Sequence, residues 1–288
     1  MRVLILGAGG MLGHKVWEVF RDRFDCRAAM RTRLPLPLFD DERVIDGFDA
    51  TNFEATAQLI AKTRPDAVIN CIGVVKQLAA AHDPIASITL NSLFPHVVAR
   101  ACAEAGARMI HISTDCVFAG TRGHYSENDI PDASDLYGRS KLLGEVTDGA
   151  LTIRTSIIGR ELRTSNGLVE WFLSNRGGTV RGFTNATFSG VTTAMLARIL
   201  AAVVEQHPGM HGLYHVAGAA ISKYDLLVML NEATGAGVDV ARDDSFVIDR
   251  SLDAARFQAA TALPPPGWPE MIAALAAESP RYERWRTE

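Results

Sequence analysis

No run of apolar residues in this chain approaches the ~20 that a membrane-spanning helix needs. The longest candidate, around 194–204, is broken by Arg198. The opening stretch MRVLILGAGGMLGHK lacks a basic region of any length, and a glycine interrupts its apolar run, so it does not read as a secretory signal. Cysteine is scarce. Cys26, Cys71, Cys102 and Cys116 lie far apart with no C-x-x-C pair, which argues against a disulfide framework and for reduced thiols. Neither sign of charge dominates: 29 Lys and Arg stand against 33 Asp and Glu. Nucleic acid and anionic membrane are therefore not expected partners. No internal repeat or low-complexity segment is present. His207, His211 and His215 are spaced by four, but Pro208, Gly209 and Gly212 break any helix there, so no metal site is expected. The expectation is a soluble, cytoplasmic protein.

What the chain does contain is core. Hydrophobic residues make up 48% of 288 and charged residues 22%, enough for one large α/β unit or two modest domains. Short apolar runs at 3–6, 26–30, 43–46, 67–72, 108–113 and 151–156 read as strands. Helical patterns at 11–22, 52–63, 84–105 and 136–147 lie between them. Strands apolar throughout, alternating with helices, predict a doubly wound (Rossmann) α/β fold with a parallel sheet covered on both faces. After about residue 160 the rhythm loosens. A helical piece at 167–174, a helix at 191–206, a strand at 212–218 and helices at 222–234 and 268–278 follow. The expected division is a dinucleotide-binding domain at 1–163, completed by 188–220. Residues 164–187 and 221–288 would form a smaller, mixed α/β substrate-binding domain.

Directly after the first strand comes Gly7-Ala8-Gly9-Gly10-Met11-Leu12-Gly13. The spacing G-x-G-x-x-G fails at Leu12, but G-x-x-G-x-x-G is met by Gly7, Gly10 and Gly13. One glycine makes the turn, one lets backbone N–H groups approach a pyrophosphate, and one packs helix against strand. The helix N-terminus then faces the phosphates. An NAD site usually places an acid at the end of the second strand. Residues 26–39 hold no acid, whereas Arg31 and Arg33 stand where a 2′-phosphate needs a cation. NADP(H) is expected over NAD(H).

In DLYGRSKLLGE (135–145), Tyr137 and Lys141 are one helical turn apart and so share a face. Chance yields such a spacing only about 0.1 times per chain of this composition. A free tyrosine, with a pKa near 10, is a poor acid at neutral pH. A neighbouring ammonium favours the phenolate and lowers that value. Ser113-Thr114-Asp115 ends the fifth strand at the carboxyl edge of the sheet, where open α/β sheets bind ligands. Thr114 can therefore converge with Tyr137 on one carbonyl oxygen, or simply cap its own backbone.

The combination of GxxGxxG, STDCVFAG, YSENDIPD and YGRSKLLGE resembles the extended short-chain dehydrogenase/reductases over nearly the whole chain. Closest in pattern are the dTDP-4-dehydrorhamnose reductase group and related nucleotide-sugar reductases. The resemblance implies NAD(P)H-dependent reduction of the 4-keto group of a nucleotide-activated 6-deoxy sugar, for surface polysaccharide synthesis. It implies Tyr137 as proton donor to the carbonyl oxygen, Lys141 as its tuning cation and ribose ligand, and Thr114 as a second hydrogen-bonding group. It further implies cofactor contacts from Gly7, Gly10, Met11, Leu12, Gly13, Arg31, Asp49, Cys71, Ile72, Gly73 and Thr155, with Asn91 supporting the site. Thr114, Asp115, Cys116 and Arg181 are the candidate substrate contacts, and Arg163 and Arg176 further diphosphate partners. Cys116 departs from the pattern, because the rhamnose reductases usually carry an aromatic there. Two alternatives share the constellation: a nucleotide-sugar epimerase or dehydratase with tightly bound NAD, and a non-catalytic regulatory subunit like that of methionine adenosyltransferase. A homodimer is left open.

Overall fold

The structure, a computed structural model, describes residues 1–75 and 82–287. From the N-terminus come β1 (Arg2–Leu6), α1 (Gly13–Phe20), β2 (Asp25–Ala29), β3 (Val44–Ile45), α2 (Phe53–Thr63) and β4 (Ala67–Asn70). Next, α3 (Pro84–Ser87) passes through a π-helical turn (Ile88–Leu93) into α4 (Phe94–Ala105), followed by β5 (Arg108–Thr114), α5 (Leu136–Leu143) and β6 (Ala150–Thr155). The remainder holds β7 (Ile157–Ile158), α6 (Leu168–Ser174), β8 (Thr179–Phe183), β9 (Ala186–Phe188), β10 (Val191–Thr192), α7 (Thr193–Gln206) and β11 (Gly212–His215). It closes with β12 (Ile221–Ser222), α8 (Lys223–Thr234), β13 (Asp239–Asp243), β14 (Ile248–Asp249), α9 (Ala255–Thr261) and α10 (Trp268–Thr287).

Seven strands form one parallel sheet in the order β3-β2-β1-β4-β5-β6-β11. This is the doubly wound Rossmann arrangement that the alternating pattern predicts. Helices α1 and α7 cover one face and α2 and α4 the other. With both faces covered, every residue of β6 and of β4 is buried, which is why β4 reads as an apolar run up to Asn70 and why Arg154 of β6 needs a buried partner. The smaller lobe is built from two small sheets, β8 with β13 and β12-β9-β14, and from α8 and α9. The loop after β5 is tied to this lobe. Tyr125 N–H donates to the Ser251 carbonyl at 2.9 Å, and the Phe118 and Tyr125 rings stack 4.1 Å apart.

Two helices differ from expectation in length. α5 stops at Leu143 because Gly144 follows it as the C-cap. α10 runs straight through Pro280 to Thr287. Proline costs a helical hydrogen bond, but Tyr282 and Trp285 beyond it are buried, and that burial outweighs the loss. α10 packs on α8 of the smaller lobe and also reaches α7 and, through side chains, α1. The His14 ring lies 2.6 Å from the Tyr282 hydroxyl, and Lys15 Nζ bridges Glu18 and Glu278.

Just past α5, Glu145 forms a buried bidentate pair with Arg154 of β6, both contacts at 2.7 Å. Glu145 also accepts from Ser113 Oγ of β5 at 2.7 Å, so one carboxylate binds helix α5 to two strands. Arg154→Met leaves that carboxylate buried and unpaired, and a loss of about 3–5 kcal/mol in urea-unfolding stability is expected. The double variant Arg154→Met/Glu145→Leu should recover most of the loss. A single variant as stable as the parent would show the pair to be inert.

Candidate active site

The glycine turn is shaped by contacts that no side chain could survive. A Cβ on Gly13 would lie 2.0 Å from the Gly7 carbonyl oxygen, and one on Gly7, which has φ +88°, would lie 2.7 Å from Ile72. Gly10 is different: its nearest neighbour would be the Gly7 oxygen at 3.4 Å, an ordinary contact. The chain itself therefore does not require glycine at position 10, whereas a group approaching the backbone from outside would. The N–H groups of Met11, Leu12 and Gly13 meet no acceptor among the described residues, as expected of a helix's first turn. This cradle fits a pyrophosphate. Its far side is anchored by His14, whose Nδ1 bonds the Gly10 carbonyl at 2.8 Å. A carbonyl only accepts, so Nδ1 carries the proton and Nε2 accepts from the Tyr282 hydroxyl. Burial holds this imidazole neutral, with its pKa pulled down to about 4.

Helix α5 is seated on backbone. A Cβ on Gly138 would lie 2.2 Å from the Cys116 carbonyl oxygen, and one on Gly144 would lie 1.8 Å from the Asn91 oxygen. The Asn91 carbonyl is available because Pro95, four residues on, has no N–H to donate to it, and the helix answers with its π turn. The Asn91 side chain accepts from Val74 N–H at 2.8 Å and donates to the Val74 carbonyl at 3.1 Å and to Ser140 Oγ at 3.2 Å. Lys141 is buried, and its Nζ donates to the Ile112 carbonyl at 2.7 Å. Burial pulls its ammonium down to about 8, against the opposing pull of Glu145. The unfolded chain holds the extra proton between about 8 and 10.5, so this group makes stability rise with pH across that window.

Thr114 stands close enough to Tyr137 to act on its phenol, so the two expected residues are neighbours. Its phenol does not stand below the ordinary tyrosine value, as the pairing with Lys141 suggested. Burial pushes it well above, with further pushes from Cys116 and Asp115 against the opposing pull of Thr114. Both readings of Thr114 hold at once. Its Oγ1 caps the turn after β5 by accepting from Cys116 N–H at 3.1 Å, donates to Asp115 at 3.1 Å, and still faces Tyr137. Asp115 is buried, and burial raises its carboxyl.

The other expected residues divide. Gly73 borders the site, since a Cβ there would lie 3.1 Å from Asn91 Oδ1 and 3.7 Å from Lys141 Nζ. Ile72 packs under Gly7, and the Cys71 thiol, pushed up to about 12 by burial, lies near Lys141. Thr155 is buried at the end of β6, the strand beside β5, with its hydroxyl turned to the Ser156 carbonyl at 3.3 Å. At the end of β2, Arg31 is exposed and bears on Asp49, whose carboxylate is engaged by Thr51 at 2.8 Å. The Arg33 guanidinium donates to the Val44 carbonyl, and its backbone N–H donates to Asp46 at 2.6 Å. Arg181 pairs with Asp243 at 3.2 Å with its side chain 73% exposed, and Arg176 pairs with Glu283 at 2.8 Å. Two cations that the sequence reading passed over stand nearer the strand end. Arg250 reaches the Phe118 carbonyl at 2.8 Å and Cys116 Sγ at 3.8 Å, and Lys223 acts on Asp115 and Cys116. The glycines of YGRSKLLGE were also passed over, although two glycines in so short a helical stretch signal close backbone approach.

Residues 1–278 match the family model described as the RmlD substrate binding domain. The chain belongs to that family. Among its relatives, the probable low-salt glycan biosynthesis reductase of Haloferax volcanii is 30% identical over 89% of this chain and 87% of its own. The dTDP-4-dehydrorhamnose reductase of Mycolicibacterium smegmatis is 28% identical over 84% of this chain and 72% of its own. With the β subunit of methionine adenosyltransferase 2 of Rattus norvegicus the match is 34% over 50% of this chain and 41% of that one. A hypothetical dTDP-4-dehydrorhamnose reductase from Sulfolobus tokodaii superposes with a TM-score of 0.77 at 28% identity, covering 90% of this chain and 94% of that one. The Bacillus anthracis dTDP-4-dehydrorhamnose reductase, solved in complex with NADP, gives 0.82 at 22%, covering 96% and 99%. No helix among the described residues is long and apolar enough to cross a membrane.

The glycine contacts separate binding from folding. Gly10→Ala is expected to keep the parent's melting temperature while losing about tenfold or more in NADPH affinity, roughly 1.4 kcal/mol. Gly13→Ala, which must push the Gly7 carbonyl aside, should lower the melting temperature itself. Fluorescence titration and thermal unfolding of both variants check this, and unchanged affinity in Gly10→Ala would contradict the cradle.

Proposed function

We propose that this RmlD-family chain is a cytoplasmic reductase that uses NADPH to reduce the 4-keto group of a nucleotide-activated 6-deoxy sugar, in the making of a surface glycan. One observation carries the reading. Thr114 and Tyr137 stand beside each other at the carboxyl end of β5, with Lys141 buried one turn behind, on the sheet edge that also bears the glycine cradle. The names of the relatives support the substrate class, and the NADP bound to the Bacillus anthracis protein supports the cofactor. Arg31 at the end of β2, with no acid on that strand's exit, supports the 2′-phosphate.

The residues divide the work as follows. The cradle of Gly7, Gly10 and Gly13 with the N–H groups of Met11 and Leu12 holds the pyrophosphate, and Gly73 and Thr155 flank the reactive end. The bound dinucleotide supplies hydride to the carbonyl carbon. Thr114 and Tyr137 hold the carbonyl oxygen, and Tyr137 passes its phenolic proton to that oxygen as the carbon is reduced. Its raised pKa keeps it protonated through neutral pH. The ammonium of Lys141 stabilises the phenolate that forms.

Two outcomes are expected with dTDP-4-keto-6-deoxyglucose as the oxidant of NADPH. Tyr137→Phe should lose about a hundredfold or more in kcat, the range of a general acid. The kcat/KM of the parent should be level below neutrality and fall as pH rises through about 8, where Lys141 loses its proton. Tyr137, titrating higher, does not set this limb, and Lys141→Arg should move it upward. Unchanged NADPH oxidation by Tyr137→Phe would sink the mechanism.

A further inference from the structure

Lys223 is the first residue of α8, directly after the cap Ser222. Every local influence on it opposes a positive charge. It sits at the positive end of a helix dipole. It is half-buried, and burial pulls its ammonium down to about 8. The acid in its own first turn, Asp225, faces away to Ser222 Oγ at 2.6 Å. No carboxylate lies within ion-pairing distance of Nζ among the described residues, and no hydrogen bond from Nζ is formed among them. Its one close partner is the face of Phe188, 3.8 Å from the ring centroid. Such a cation–π contact orients the ammonium but leaves its three donors unused. The groups it does feel across the cleft are Asp115 and Cys116. Asp115 is held by Thr114 and makes no ion pair with Lys223 among the described residues. Arg250 approaches the same strand end from the smaller lobe, so two cations there outnumber one buried carboxylate.

We infer that Lys223 is a substrate-binding residue whose ammonium donates to an anionic oxygen of the substrate held over the Thr114–Asp115 edge. An uncompensated lysine at a helix N-terminus is a cost that a bound anion offsets, and the positive end of α8 adds to the attraction. The anionic oxygen belongs either to the diphosphate of the nucleotide or to a carboxylate on the sugar. The inference rests on the nucleotide-sugar reading but is tested by binding, not turnover, so the two fail separately.

The test is calorimetric titration of the NADP⁺-loaded protein with UDP, dTDP, UDP-glucose and UDP-glucuronate. Lys223→Met and Lys223→Arg are compared with the parent. Lys223→Met should weaken binding by about tenfold or more, with NADP⁺ affinity and melting temperature unchanged, and Lys223→Arg should retain most of it. Weakening toward all four ligands assigns the contact to the diphosphate, and weakening confined to UDP-glucuronate assigns it to a sugar carboxylate. Either result supports the inference. Binding of all four within about twofold of the parent overturns it, as does an equal loss of NADP⁺, which would mark Lys223 as structural.

Discussion

The site depends on how α5 is seated. A helix normally meets its neighbours through side chains at 8–10 Å between axes. Here Gly138 and Gly144 let its backbone press directly on the carbonyls of Cys116 and Asn91. That contact fixes the depth of the helix against the end of β5, and with it the positions of Tyr137, just before the first glycine, and of Lys141, between the two. It is itself the product of a break elsewhere. Pro95 withholds the N–H that the Asn91 carbonyl would otherwise accept, the chain answers with a π turn, and the freed carbonyl becomes the floor beneath Gly144. The same Asn91 turns its amide to the backbone of Val74 and to Ser140. One residue thus registers α5 against the loop after β4, where a dinucleotide would lie.

The second lobe is coupled to this seat through the loop between Thr114 and Tyr137. Phe118 stacks on Tyr125, Tyr125 bonds Ser251, and Arg250 returns to the Phe118 carbonyl. The segment linking the two hydroxyls is therefore held by residues 250–252 of the smaller lobe. A ligand that drew Arg250 or Lys223 toward the strand end would act on the same loop that carries Thr114 toward Tyr137. Substrate contact and catalytic geometry share one set of connections.

Much of the first lobe was legible because its physics is local. Buried parallel strands are apolar throughout, and the glycine turn follows β1 at a spacing that backbone approach to a phosphate demands. The sequence pattern named Thr114, Tyr137 and Lys141 from their residue types, and the fold brings all three to the carboxyl end of β5. The candidate site was not legible where the job depends on distant partners. Arg181 looked like a diphosphate ligand until β13 supplied Asp243 beside it. Arg33 looked free until β3 engaged it. The last helix, expected over 268–278, runs on to Thr287 because Tyr282 finds His14, 268 residues away in sequence. Lys223 did carry a local sign, a cation just inside a Ser-x-x-Asp helix start, where the dipole disfavours it.

The correction to the Tyr137 phenol sharpens the chemistry. Burial acts against charge on both members of the pair, raising Tyr137 and lowering Lys141. Alone, each effect opposes catalysis, because a buried phenol gives up its proton reluctantly and a buried amine holds its charge weakly. Together they make proton transfer conditional. A phenolate forms at tolerable cost only where a neighbouring charge compensates it, and in the proposed mechanism that charge is the ammonium one turn along α5. Glu145 helps to keep that ammonium charged while Arg154 holds Glu145 in place. The buried ion pair behind the helix thereby serves the acid in front of it. Under the proposed mechanism its value lies less in stability, where two apolar residues would do as well, than in keeping Lys141 protonated as Tyr137 gives up its proton.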